Sequence, residues 1–194
     1  MDVQIAFSRD GLIWQRPERK PIVTLGPEGS GEDCMIGASG IVELPDGYWG
    51  STYWAESRLH NVKHEYEAEL FPHKKARKMG WALWQPHRFC GFEATTEGRF
   101  TIPTICRRND ELRLNYRCKP GGWVTVELLR LIPSMFHGDV DPLKEFTFEE
   151  CDRLTGDSLD QVVTWQGRSD ISGIGEMVAI RLKMFQAKVF AYQV

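Results

Sequence analysis

Three stretches of two-residue alternation constrain this chain more than any other feature. Leu112, Leu114, Tyr116 and Cys118 alternate with Glu111, Arg113, Asn115 and Arg117; Val124, Val126 and Leu128 alternate with Thr125 and Glu127; Val178, Ile180, Leu182 and Met184 alternate with Ala179, Arg181 and Lys183. A β-strand sends successive side chains to opposite faces, so each stretch reads as a strand with one buried and one polar face. Lys119-Pro120-Gly121-Gly122 and Gly156-Asp157 read as turns between short strands, and Val189-Phe190-Ala191-Tyr192 as a closing strand. The chain shows no long amphipathic helical pattern, so many short strands with frequent turn signals predict an all-β fold with a sandwich in its second half.

The first half carries turn chemistry of the same kind. Val3-Gln4-Ile5-Ala6-Phe7 is β-prone and ends in Ser8-Arg9-Asp10-Gly11, after which Leu12-Ile13-Trp14 begins a return strand. Asp10-Gly11 supplies the left-handed position a tight turn needs. The S-x-D-G-x-x-W pattern looks like an Asp-box one residue short, a structural turn with Trp14 packed beneath it. Gly26–Gly31 is a loop by composition. Cys34–Leu44 reads as a buried strand, Pro45-Asp46-Gly47 as a second turn, and Tyr48–Trp54 as its aromatic partner, which together predict an antiparallel meander. Residues 55–80 break the pattern with Glu65, Glu67 and Glu69 and the basic run Lys74–Lys78, and predict a long solvated loop; strands resume at Trp81.

Composition excludes several classes of function. The chain is 42% hydrophobic and 26% charged with net charge −3, which gives no general attraction for nucleic acid or an anionic membrane. Five widely spaced cysteines form no CxxC pair and predict reduced, buried thiols and no bound metal or other cofactor. The N-terminus has no basic region followed by a long apolar run, so a complete chain of this sequence is expected in the cytoplasm. Seven Trp suit a protein that stacks sugar rings, but equally one that packs aromatic strands.

The order of these motifs carries a resemblance. V-Q-I-A-F-S-R-D-G-L-I-W-Q-R-P followed by P-I-V-T-L-G-P-E-G-S-G-E-D-C-M-I resembles the late blades of glycoside hydrolase family 32-like and 43-like five-bladed propellers. R-F-C-G-F-E-A, G-R-F-T-I-P, E-L-R-L-N-Y, G-W-V-T-V-E-L, C-D-R-L-T-G-D, V-V-T-W-Q-G and V-A-I-R-L-K-M-F-Q-A-K-V-F-A-Y look like the last propeller strand and the C-terminal β-sandwich that follows. The resemblance implies partial propeller blades over 1–95, then a jelly-roll-like β-sandwich over 96–194. It also implies descent from O-glycosyl hydrolases of the fructan, arabinan or xylan type.

That family's chemistry needs carboxyl groups flanking a glycosidic bond at roughly 5–9 Å separation. Its carboxylate motifs belong to earlier blades, so no catalytic residue is assigned in this chain. Glu150-Cys151 echoes the family's acid motif and Asp141-Pro142 its stabiliser motif, but both fall in sandwich context, and Val140 stands where the stabiliser motif has Arg. If Cys34–Gly37 is an innermost strand, the resemblance places Glu32 and Asp33 at the sugar-facing rim. Trp54 and His60 then stand at the loop rising on the same face, Asp33 bonding sugar hydroxyls and Trp54 stacking, or else Asp33 capping a turn and Trp54 packing in the blade. His60 and His64 with Glu65 have the spacing of two metal ligands, but no third is evident. The expected partners are a carbohydrate, a second copy, or an upstream propeller chain completing exposed strand edges. The expected function is a carbohydrate-active portion that is not hydrolytic alone. The alternatives are a carbohydrate-binding or structural sandwich module, and an intact glycosidase with a rearranged site.

Overall fold

The computed structural model describes residues 1–58, 60, 77–130 and 142–194, and the fold is all-β. The chain divides into two compact units, Met1–Cys90 and Gly91–Val194.

In the first unit, β1 (Phe7–Ser8) pairs with β2 (Trp14–Gln15) across the predicted Asp-Gly turn. Asp10 Oδ1 accepts the amides of Leu12 and Ile13 at 2.8 and 2.9 Å, and Ser8 Oγ accepts that of Gly11, whose φ is +74°. These bonds hold the Asp10 carboxyl below its usual range, and they explain why the turn needs Asp and Ser. Trp14 differs from expectation: it is 63% exposed, and its indole N–H closes back on the Gly11 carbonyl instead of packing beneath the turn.

The main sheet of this unit comprises β3 (Met35–Ala38), β4 (Val42–Glu43), β5 (Trp49–Glu56) and β6 (Arg77–Trp84), all antiparallel to β5 where they pair with it. The predicted single strand over Cys34–Leu44 is therefore two, separated at Ser39-Gly40-Ile41, and its second part is exposed. Strand resumes at Arg77 rather than Trp81, because β6 pairs along all of β5 from Trp49↔Trp84 to Glu56↔Arg77. Alternation on β5 turns Ala55 and Tyr53 to one face, where Ala55 and Ile36 meet Val23, with Val3, Ile22, Ala82 and Trp84 around them. This is a small core, tied to the N-terminal segment by the Val3↔Val23 bridge.

The second unit is one four-stranded antiparallel sheet in the order β7-β10-β8-β9: β7 (Phe92–Cys106), β8 (Arg113–Arg130), β9 (Asp157–Val162) and β10 (Met177–Gln193). The alternating residues predicted to face inward do so. Leu114, Tyr116, Val124, Val126 and Leu128 of β8 meet Val178, Ile180, Leu182 and Met184 of β10 in a core closed by Val163, Trp165 and Ile171. Trp165 is fully buried, and its indole N–H donates to the Val126 carbonyl at 2.9 Å, which satisfies the one polar atom its ring carries inward.

Lys119–Gly122 is not a turn between two strands. Both flanks pair with β10, Trp123 opposite Phe185 and Cys118 opposite Ala187, so these residues form a bulge within one long β8. Gln186 on β10 sits at the same level with φ +45°, and inward-facing residues change there from even (Met184) to odd (Ala187, Val189). One extra residue reverses the facing of everything after it.

Candidate functional site

The carboxylates singled out by sequence are used within the fold. Asp33 Oδ2 accepts the Gly29 amide at 2.8 Å, fastening the Gly26–Asp33 loop that the Gly26–Glu32 backbone bond also closes. Glu32 Oε1 accepts the Tyr53 hydroxyl at 3.0 Å. That bond, with burial and the carboxylate's charge, holds the Tyr53 proton above its ordinary range. Tyr53 and Trp54 are adjacent on β5 and project to opposite faces, so Glu32 and Trp54 belong to opposite sides of the sheet. His60 is exposed; His64, Glu65, Val140, Asp141 and the basic residues 74–76 lie outside the described residues.

The Glu150–Cys151 echo is structural. Glu150 Oε2 accepts the amide and hydroxyl of Thr147, and the Cys151 sulfur accepts the Val126 amide at 3.2 Å within the core. Burial pushes the Cys151 thiol up to about 11, so it stays protonated and unreactive near neutral pH. The carboxyls of Asp10, Asp152 and Asp170 all shift downward through turn hydrogen bonds, the opposite of the raised value a general acid of glycoside hydrolysis needs. Among the described residues no group of three or more His, Cys, Asp or Glu is placed to hold a metal ion.

What the fold does assemble is an aromatic surface on the β5–β6 face opposite the small core. Register sets Trp54 beside Met79, Thr52 beside Trp81 and Gly50 beside Leu83, all on that face. Trp54 is 40% exposed, Trp81 52%, Leu83 53% and Met79 83%. Each indole approaches a glycine on the neighbouring strand, where any side chain would collide with it. A Cβ on Gly37 would fall 2.5 Å from the Trp54 ring, and one on Gly50 3.0 Å from the Trp81 ring.

Sequence reasoning found Trp54 but missed Trp81, Met79 and Leu83. The signal was present, since Met79, Trp81 and Leu83 recur at period two. Alternation alone gives no reason for the apolar set to face outward. A second aromatic feature lies at the edge of the same unit: a cleft of about 460 Å³ bordered by Phe7, Val42, Glu43, Trp49 and Phe89. Trp49 there is held by His87 at 4.5 Å and Phe89 at 5.6 Å between ring centres.

No family model, curated protein or solved structure matches this chain.

Proposed function

We propose that this chain is a carbohydrate-binding β protein of glycoside-hydrolase kind that does not itself hydrolyse glycosides. The pair of outward-facing indoles, Trp54 and Trp81, carries the reading. A sugar ring has one face of C–H groups that can bury on an aromatic surface while its hydroxyls remain in water. A flat indole platform therefore suits it without a deep polar cleft. Register makes Trp54 and Trp81 diagonal neighbours, a separation of roughly 7–8 Å between backbones on adjacent strands, so one oligosaccharide can span both.

Affinity electrophoresis of the full chain in gels containing arabinoxylan, arabinan or inulin tests the proposal. At least one polysaccharide is expected to retard the protein, and Trp54→Ala or Trp81→Ala to weaken that binding about tenfold or more. Retardation by none of them, or variants that stay folded and run as the parent does, would overturn it. Turnover of aryl glycosides or fructans would overturn the non-hydrolytic part alone.

Met79 and Leu83 favour a second reading. Side chains so exposed and so apolar suit a protein partner better than a sugar, and β6 pairs with β5 alone among the described residues. On this reading an upstream propeller chain or a second copy covers the β5–β6 face. Light scattering after chromatography separates the two: association abolished by Met79→Lys, without polysaccharide binding, selects the partner.

A further inference from the structure

The segment Cys151–Asp157 of the second unit is almost entirely occupied in holding the fold. Asp152 accepts the Thr164 hydroxyl at 2.6 Å and the Gly167 amide at 2.8 Å. Leu154 exchanges backbone bonds of 2.9 and 3.0 Å with Val124. The Thr155 carbonyl accepts the Tyr116 hydroxyl at 2.9 Å, the Gly156 carbonyl accepts the Cys118 amide at 2.7 Å, and Asp157 pairs with Arg117 at 2.8 Å. Arg153 is the exception. It is exposed and makes no ion pair among the described residues, and its guanidinium lies over the Trp123 ring at 5.1 Å from the centroid.

The β8 bulge gives that guanidinium a cavity to face. Residues 154–156 are pinned to β8 on both sides of the bulge, through Val124 and through Cys118, while Lys119–Gly122 leave the ladder between those points. The sequence requires this shape: Gly121 has φ +80°, and a Cβ on Gly122 would lie 2.4 Å from the Gln186 carbonyl oxygen. The resulting cleft, about 380 Å³, is bordered by Lys119, Trp123, Arg153, Thr155 and the bulge glycines, with no acidic side chain among its lining residues. Of the acids adjoining it in sequence or register, Asp157 is paired with Arg117 and Glu97 with Lys183 at 3.3 Å, while the Asp152 carboxylate is engaged by the Thr164 hydroxyl and the Gly167 amide. Lys183 also reaches the Trp123 ring, at 5.8 Å. Two cations that make no ion pair among the described residues, Arg153 and Lys119, therefore stand at a cleft of small-molecule size. One of them is held in place by an aromatic ring that uses none of its N–H donors.

We propose that this cleft is a binding site for a small molecule bearing one oxyanion, a carboxylate or a phosphate, held by Arg153 and Lys119 beside Trp123. Arg presents a planar fork of donors that matches either oxyanion, and Lys119 adds a mobile second charge. The site is independent of the Trp54–Trp81 surface, and it requires neither catalysis nor a metal.

Calorimetric titration of the full chain with glucuronate, glucose 6-phosphate and glucose tests it. Both anions, or one of them, should bind while glucose does not, and binding should weaken with added salt. Arg153→Met should weaken it about tenfold or more, the loss expected for one charge-assisted hydrogen bond, and Lys119→Met should weaken it less. A preference for glucuronate assigns the seat to carboxylates; a preference for glucose 6-phosphate assigns it to phosphates. Lys119 lies exposed on the bulge, so Lys119→Met and the salt dependence decide the matter even if Arg153→Met folds poorly. No binding of either anion, equal binding of glucose, or unchanged affinity in both variants would overturn the proposal. Trp54→Ala should leave this binding intact, which separates its failure from failure of the polysaccharide reading.

Discussion

The two units answer the same alternating pattern in opposite ways. In Gly91–Val194 the apolar face of β8 and β10 is buried under Trp165, Val163 and Ile171, and the other face mixes the pairs Glu127–Arg181 and Thr125–Lys183 with the apolar pairs Leu129–Ala179 and Trp123–Phe185. Glu127 there is 5% exposed and bonded to Arg181 at 2.7 Å. In Met1–Cys90 the small core of Val23, Ile36 and Ala55 covers one face of β5, while the opposite face shows Trp54, Met79, Trp81 and Leu83 to solvent. The difference teaches that alternation fixes which residues share a face and leaves open which face is covered. An outer face whose apolar side chains are buried or half-buried among charged pairs closes a unit on itself; one that shows them to solvent leaves a surface for a ligand or partner.

Trp165→Ala should break the comparison most strongly. It empties a fully buried site and strands the Val126 carbonyl, so a loss of about 3–5 kcal/mol in denaturant titration is expected. A loss below about 1 kcal/mol would mean the second unit is not built around this core. Next comes Arg181→Met, which leaves Glu127 buried without its partner and should cost about 3 kcal/mol. On the first unit's outer face the comparable pair is Glu56 with Arg77 at 2.9 Å, whose arginine is 69% exposed, so Arg77→Met should cost less, about 1 kcal/mol or below.

Alkaline titration gives a third test. The Cys151 thiol is raised to about 11 by burial, so its folded value lies above its ordinary 9.0. Stability from this group is complete below pH 9 and falls as pH rises toward 11, by an amount on the order of 2 kcal/mol. The Cys118 thiol is also raised to about 11 by burial, so Cys151→Val should lessen the slope in melts taken between those two pH values and leave the Cys118 share; an identical slope would place the loss elsewhere. In the first unit, Gly37→Ala should displace the Trp54 indole, costing about 1–2 kcal/mol and shifting tryptophan emission to the red. The smallest effect is expected for Met79→Ser, within about 0.5 kcal/mol for the monomer. A larger loss, accompanied by a change in mass by light scattering, would show that this face is an interface.

Much of the fold was legible. Inward residues of β8 and β10 follow from their spacing, and the Asp10-Gly11 and Asp46-Gly47 turns from their chemistry; Gly47 has φ +81°, and its amide donates to the Leu44 carbonyl at 2.9 Å. The bulge was half-legible. Pro120-Gly121-Gly122 signals a break in extended chain, but a turn and a bulge share that signal until the partner strand is known. The change from even to odd inward positions near Gln186 was the clue, since a one-residue slip reverses a strand's faces. The candidate site was less legible. Trp54 could be named from its aromatic strand, but Trp81 joins it only through the β5–β6 register, across residues the sequence presents as a loop.

By itself, then, the sequence determined an all-β chain, its main alternating strands and its glycine-dependent turns, because those depend on local period and backbone freedom. The tertiary structure decided which apolar face stays open, that two indoles approach Gly37 and Gly50, and that Arg153 and Lys119 meet at one bulge. Each of these depends on which strands become neighbours, and strand pairing joins residues far apart in the chain, where local pattern carries no information.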